Sequence, residues 1–115
     1  PALGFVNFIP EGNYTTVFET PKPQLIESVS AFPNPFNPRV EIKLSLAHDS
    51  HASVVVLDIS GKLVRHLKAS ELAKGDHIMH WDGKDRIGLS CASGVYFYRV
   101  VAGNESKVGK LVLVR

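Results

Sequence analysis

The chain has 115 residues, of which 44% are apolar and 21% charged, the size and composition of one ordinary domain with its own hydrophobic core. A net charge of +2 at pH 7 is too small to indicate a nucleic-acid-binding surface, and no apolar run is long enough to predict a transmembrane helix. Because Cys91 is the one cysteine, an internal disulfide is excluded and packing has to hold the fold.

The first residues have the pattern of the end of another domain. Apolar stretches at residues 3–9 and 14–20 flank a turn signal, which predicts a hairpin. Pro21-Lys22-Pro23 then predicts a short stiff linker, because proline disfavours helices and central strands. The sequence opens with neither Met nor a signal peptide, so we expect it to be a piece of a longer protein. We therefore assign residues 1–24 to the tail of a preceding β domain plus linker, and residues 25–115 to a second domain.

A proline-rich segment follows the first strand of that second domain, which we expect near residues 25–32. Phe32-Pro33-Asn34-Pro35-Phe36-Asn37-Pro38 places three prolines within seven residues. Each proline fixes its own φ and biases the preceding residue towards extended geometry. The segment should therefore form a rigid corner, and we expect Phe32 and Phe36 to attach it to the core.

Strand patterns fill the rest of the chain. Val40–Leu46 alternates apolar and polar residues without error, as a half-buried antiparallel strand does. Residues 53–59 are apolar on both faces and rich in β-branched side chains, which predicts a central strand, and Ser60-Gly61 turns it into the next one. Helix signals are nearly absent, since only residues 69–74 favour a turn of helix, which Gly75 ends. The remaining strands are predicted at residues 62–67, 77–81, 95–101 and 107–115. About seven strands at this spacing predict an all-β antiparallel sandwich.

A search for catalytic or metal chemistry yields no candidate site. His77 and His80 lie three apart in a predicted strand and point to opposite faces, so they cannot both ligate one ion without a bulge. Gly88-Leu89-Ser90-Cys91-Ala92 resembles a nucleophile elbow, but it lacks the second glycine and the strand–turn–helix context. A free cysteine such as Cys91 is most often a small buried hydrophobe. We predict no catalytic residues, no metal and no cofactor, and a protein that is not an enzyme.

The aromatic residues offer one binding alternative. Trp81 with Tyr96, Phe97 and Tyr98 could make a stacking platform for a sugar or single-stranded nucleic acid. Alternation sends Tyr96 and Tyr98 to one face of their strand and Phe97 to the other, so part of the cluster must pack in the core. We predict that Trp81 is buried, and we interpret Asp82-Gly83 as the turn that ends its strand rather than as part of a calcium loop.

The last nine residues are a basic and apolar strand. Residues 107–115 carry three cations and no acid. Two interpretations stay open from the residues alone. The charges guard an edge strand against aggregation, or the strand is offered to a partner by β-augmentation or as a recognition signal.

The landmarks of the second domain occur in a specific order between Phe32 and Arg115. They are Phe-Pro-Asn-Pro-Phe-Asn-Pro (32–38), the alternating strand (40–46), Val-Val-Val-Leu-Asp-Ile-Ser-Gly-Lys-Leu-Val (54–64), Lys-Gly-Asp-His (74–77), Trp-Asp-Gly (81–83), Ala-Ser-Gly-Val-Tyr-Phe-Tyr-Arg-Val (92–100) and Lys-Leu-Val-Leu-Val-Arg (110–115). This series resembles the C-terminal sorting domain of type IX secretion, the Por system. It is also similar to the Ig-like domain of the flagellar hook-capping protein.

The resemblance implies an immunoglobulin-like antiparallel β-sandwich of about seven strands. The family's translocon-recognition elements fall on Gly94, Tyr96, Lys110, Leu111, Val112, Val114 and Arg115, and its structural motifs on Pro33, Asn34, Pro35, Trp81, Asp82 and Gly83. Two departures lie in predicted loops. Leu46-Ala47-His48-Asp49 stands where the family commonly has Leu-Pro, and Cys91 stands where valine is usual.

What the resemblance implies about function is a non-catalytic C-terminal sorting domain. It would direct an exported passenger through the type IX system, via the periplasm, to the cell surface or medium of a Gram-negative bacterium. Its partners would be the type IX translocon, a sortase-like peptidase and the covalently linked upstream passenger, with no nucleic acid and no membrane insertion. The alternatives are a structural Ig-like spacer or docking module of an extracellular enzyme or appendage, and a carbohydrate-binding module.

Overall fold

Alternating apolar residues form seven β-strands in the computed structural model, which describes residues 24–115. The predicted hairpin within residues 3–20 and the linker at residues 21–23 lie outside the described residues. The strands in chain order are β1 (Ile26–Phe32), β2 (Val40–Leu46), β3 (Ser50–Leu57), β4 (Leu63–Leu72), β5 (Gly75–Trp81), β6 (Gly94–Ala102) and β7 (Glu105–Leu113).

The strands form two antiparallel sheets. Sheet A has three strands in the order β1-β2-β5, and sheet B has four in the order β4-β3-β6-β7. The predicted all-β antiparallel sandwich of about seven strands is therefore confirmed. None of the described residues belongs to a helix long and apolar enough to cross a membrane.

The core lies between the inward faces of the two sheets. In β2 the alternation works as predicted, because Val40, Ile42 and Leu44 are fully buried while Glu41 and Lys43 are exposed. Burying each of these aliphatic side chains stabilises the fold by about 1.5–3 kcal/mol. The largest fully buried side chains are Trp81, Phe36, Ile26, Ile42, Leu44, Leu46, Leu111 and Leu113.

β3 is an interior strand of sheet B, as its composition predicted. It lies between β4 and β6. Val54 and Val56 point into the core and are fully buried. Val55 points outward, yet it is only 8% exposed because the neighbouring strands flank it on both sides.

The prediction of a helical turn at residues 69–74 is wrong. Residues 69–72 continue β4, and their partners are the first residues of β3, from Ser50 opposite Leu72 to Ser53 opposite Ala69. Leu72 is buried by this pairing. Tertiary packing therefore overrides a weak local helix preference, as it commonly does.

One of the two corner phenylalanines is not attached to the core. Phe36 is 1% exposed, as expected, whereas Phe32 is 77% exposed. The register between β1 and β2 explains the exposure of Phe32, because this residue pairs with the outward-facing Glu41. The neighbouring Ala31 takes the inward position and packs against the core.

Candidate recognition site

The side chain of Asn34 binds the backbone of β7 as a peptide group would. Its Nδ2 donates to the Lys110 carbonyl over 2.8 Å, and its Oδ1 accepts from the Val112 amide over 2.9 Å. Together the two contacts satisfy one acceptor and one donor on the outer edge of the strand. The predicted structural motif thus holds the predicted recognition strand directly.

Phe36 continues this pairing through its main chain. The Phe36 amide donates to the Val112 carbonyl and the Val114 amide donates to the Phe36 carbonyl, each over 2.9 Å. Phe36 thereby forms an isolated parallel bridge with Leu113. Strand addition along residues 110–114 would have to displace these bonds, so this half of β7 is not an open edge.

Glu105 ties the other end of β7 to the start of sheet A. Its carboxylate oxygens accept from the amides of Leu25 and Ile26 over 2.6 and 2.8 Å. These backbone hydrogen bonds, from Ile26 and then Leu25, hold the pKa of the Glu105 carboxyl below its usual value of 4.5. Nothing in the sequence pattern indicates this role for an acid at the start of a strand.

Trp81 anchors the end of the sandwich beside Phe36 and Tyr96. It is fully buried, as predicted, and its Nε1 donates to the Lys84 carbonyl over 2.9 Å. Its ring centroid lies 5.6 Å from that of Phe36 and 5.2 Å from that of Tyr96. Because the indole is enclosed on both sides, it cannot stack on a sugar, and the carbohydrate-binding alternative loses its central aromatic.

The turn after Trp81 receives the last residue of the chain. Arg115 Nη2 donates to the Gly83 carbonyl and Arg115 Nε to the Cys91 carbonyl, each over 2.6 Å. Gly83 has a φ of +76°, and a Cβ there would lie 2.8 Å from Arg115 Nη2. Asp82 shapes the same turn by accepting from the Lys84 amide over 3.0 Å, consistent with its predicted turn role.

Gly94 and Tyr96 lie beside the terminal residues. Gly94 pairs with Leu113 and Tyr96 with Leu111 across β6 and β7. The Tyr96 hydroxyl donates to the Ala92 carbonyl over 2.8 Å, which holds the ring against Trp81. The motifs singled out in the sequence, which are far apart along the chain, therefore converge at one end of the sandwich.

The residues of β7 divide into two sets, as alternation predicts. Leu111 and Leu113 are buried in the core, whereas Lys110 and Val114 are exposed and Val112 is half-buried. Leu111 therefore contributes packing, and the side chains that a partner can touch are those of the second set.

A cleft of 390 Å³ beside Tyr96 is lined by acids and by the free cysteine. Asp85 Oδ1 accepts from the amides of Ile87 and Leu89, and Asp58 Oδ1 from those of Ser60 and Lys62, so both acids serve turns. Burial raises the pKa of the Cys91 thiol, which is opposite to the shift that activates a nucleophile.

The described histidines do not cluster. His80 faces outward and contacts Glu41 over 3.4 Å, while His77 lies on the other face of β5 and its Nε2 contacts the Ala73 carbonyl over 2.6 Å. Within residues 24–115, no three His, Cys, Asp or Glu side chains are grouped to hold a metal ion.

Two antiparallel sheets packed face to face, with a tryptophan buried between them, define an immunoglobulin-like β-sandwich. The chain matches the family described as the FlgD Ig-like domain over residues 36–106, which is more than half of its length. It belongs to the FlgD Ig-like domain family. A comparison with curated proteins finds no match.

Several solved structures are similar to the chain. Latent PorU from Porphyromonas gingivalis aligns with a TM-score of 0.63 and 23% identity, covering 75% of this chain and 9% of PorU. PorZ, described as an essential bacterial surface component of the type-IX secretion system of P. gingivalis, aligns with a TM-score of 0.51 and 25% identity, covering 77% and 12%. FlgD from P. aeruginosa aligns with a TM-score of 0.52 and 22% identity, covering 76% and 72%. The chain thus spans only a small part of PorU and of PorZ.

Proposed function

We propose that residues 25–115 form a non-catalytic sorting domain that directs a covalently linked passenger through type IX secretion. The observation that carries the proposal is the convergence of the sequence motifs at one end of the sandwich. Asn34 binds the backbone at Lys110 and Val112, and the Arg115 guanidinium binds the turn after Trp81. Such an arrangement presents the terminal strand in one fixed conformation, which suits a domain that is recognised rather than one that reacts.

Two further observations support this proposal. The similarity to PorZ extends over most of the described domain. The family match ends at residue 106, and residues 107–115 beyond it are basic and apolar. In the proposed role the partners are the type IX translocon and a sortase-like peptidase, and the destination is the cell surface or medium of a Gram-negative bacterium, reached via the periplasm.

The test is export of a reporter fused to the N-terminus of the full chain in a type IX-competent bacterium. The reporter should carry a signal peptide so that it reaches the periplasm in every case. We expect it in the medium or at the surface of the competent host, and in the periplasm of an otherwise identical strain that lacks the translocon. Retention in the periplasm of both strains would refute the proposal.

A structural spacer or docking module is the second candidate. It is favoured by the protected outer edge of β7 at residues 110–114, where Asn34 and Phe36 bind the backbone. A spacer needs such protected edges and no recognition signal. This candidate predicts that the reporter stays in the periplasm of both strains while the folded domain keeps its full stability.

A further inference from the structure

The outward face of sheet B is apolar along two adjacent strands. In β6 and β7 the outward side chains lie in cross-strand rows, with Phe97 opposite Lys110 and Arg99 opposite Val108. Val108 is 61% exposed. We define the apolar-basic face as six of the outward side chains of these two strands, namely Phe97, Arg99, Val101, Val108, Lys110 and Val112.

A shallow hollow lies on this side of the sheet. It has a volume of 380 Å³, and its apolar walls are Leu57, Ile59, Phe97 and Val108, with the β3–β4 turn at its rim. Ile59 is 75% exposed. A concave apolar surface of this kind offers a partner a place to bury one large side chain.

The cations of the apolar-basic face lack acidic neighbours. Within residues 24–115, neither Arg99 nor Lys110 forms a salt bridge. Asp58 lies at the rim of the hollow and stays ionised, because the hydrogen bond from Ser60 lowers the pKa of its carboxyl, but it forms no salt bridge with Arg99 or Lys110. The face therefore carries two cations without a salt-bridge partner beside exposed apolar area.

The outward face of sheet A is different, and it serves as an internal comparison. There Lys43 contacts Asp76 over 3.4 Å and Glu41 contacts His80 over 3.4 Å, so opposite charges pair within the face. On sheet A the charges are thus paired, although Phe32 and Ile78 are exposed there, whereas within the described residues Arg99 and Lys110 of sheet B stay unpaired beside the exposed Val108. Surface of the second kind marks sites of protein association.

The edge contacts restrict how β7 can be recognised. Its backbone at residues 110–114 is occupied by Asn34 and Phe36, so a partner can read this stretch through side chains only. The outward side chains of Val108, Lys110 and Val112 belong to the apolar-basic face. We infer that the export machinery of the proposed function binds the domain on this face, through a protein surface that combines apolar side chains with carboxylates.

The positive charge of the apolar-basic face favours a partner with carboxylates over a second copy of the chain. Two copies packed face to face would bring the Arg99 and Lys110 cations of each against those of the other, which is unfavourable. A partner with Asp or Glu around an apolar centre would pair both cations and cover Val108. The inference rests on the proposed function and deepens it by naming the surface used.

The first test is the reporter export described above, with matched pairs of variants. The variants on the apolar-basic face are Val108→Ser and Lys110→Glu. The control for Val108→Ser is Ile78→Ser, which removes a 53% exposed apolar side chain from sheet A. The control for Lys110→Glu is Lys74→Glu in the β4–β5 turn. We expect each face variant to lower export by about tenfold, as loss of a central interface contact does, with unchanged controls and unchanged melting temperatures.

The second test is site-specific photo-cross-linking from position 108 of the full-length fusion during export. We expect a cross-link to a component of the export machinery, at a segment that contains both apolar and acidic residues. A cross-link to a second copy of the chain, to residues 1–23 or to the passenger would overturn the inference, and so would the absence of any cross-link.

The two proposals fail in different ways. If the unmodified fusion is not exported, the sorting function is wrong. If the unmodified fusion is exported and the folded Val108→Ser and Lys110→Glu variants are exported equally well, sorting stands and the assignment of the face is wrong.

Discussion

Replacing Lys110 and Arg115 one at a time should separate a structural role from a surface role. The Arg115 guanidinium donates to the carbonyls of Gly83 and Cys91 at 2.6 Å, and Gly83 is buried. Hydrogen bonds to charged groups contribute about 1.5–3 kcal/mol each, and the exposure of Arg115 reduces this, so Arg115→Ser should lower the free energy of unfolding by about 1–3 kcal/mol. The Lys110 side chain is exposed, and Lys110→Ser should change the free energy by less than about 0.5 kcal/mol.

Urea unfolding followed by tryptophan fluorescence is a suitable assay, because Trp81 is the one tryptophan and is fully buried. The midpoint should fall for Arg115→Ser at an unchanged slope, which indicates lost stability rather than a changed unfolded state. Arg115→Lys keeps the charge but loses the forked geometry, so it should recover only part of the loss. Equal stability of Arg115→Ser and Lys110→Ser would refute the assignment of Arg115 to the turn after Trp81.

Three further predictions concern Trp81 and Asn34 at this end of the sandwich and Glu105 at the other end of β7. Trp81→Ala should lower the free energy of unfolding by about 3–5 kcal/mol in thermal or urea unfolding, because it empties a fully buried site, and a loss under about 1 kcal/mol would contradict that burial. Asn34→Ala should lower it by about 1–3 kcal/mol, because two backbone groups of β7 lose their partner, whereas the exposed Asn37→Ala is the matched control and should have little effect. The folded-state pKa of Glu105 lies below its usual value of 4.5, so its stabilising effect is present above that pH and is lost as the pH falls through the folded-state pKa. The difference in melting temperature between the unmodified chain and Glu105→Gln should therefore shrink on acidification from pH 7, and a constant difference would contradict the contact.

The sequence predicted the sandwich because its signals are local. The alternation of Val40–Leu46 and the turns at Ser60-Gly61 and Asp82-Gly83 act within a few residues, and each lies where the pattern predicted. Residues 69–72 were mispredicted because their conformation depends on pairing with the start of β3. Phe32 was misplaced because its register in β1, rather than its hydrophobicity, decides which face it occupies.

The motifs of the candidate site were predictable from the sequence, but the contacts between them in the folded domain were not. Nothing in Pro33-Asn34-Pro35 indicates that the asparagine amide binds a strand 76 residues away. Glu105 and Leu25 are separated by 80 residues, and no periodic pattern relates them. The sequence predicted Arg115 to be an exposed residue that a partner recognises. Its guanidinium instead donates hydrogen bonds to the backbone carbonyls of Gly83 and Cys91. Such contacts depend on the assembled fold, which single-sequence patterns do not contain.

The pairing of Asn34 and Phe36 with β7 has a consequence for the timing of folding. Their partners at residues 110–114 are the last part of the domain to leave the ribosome or a narrow export channel. Until that segment emerges, the proline-rich segment has no strand to bind, and the bond from Ile26 to Glu105 is also missing. A fold closed by contacts of such high sequence separation forms slowly and late. A domain threaded from its N-terminal side would thus close the sandwich only when residues 110–114 arrive.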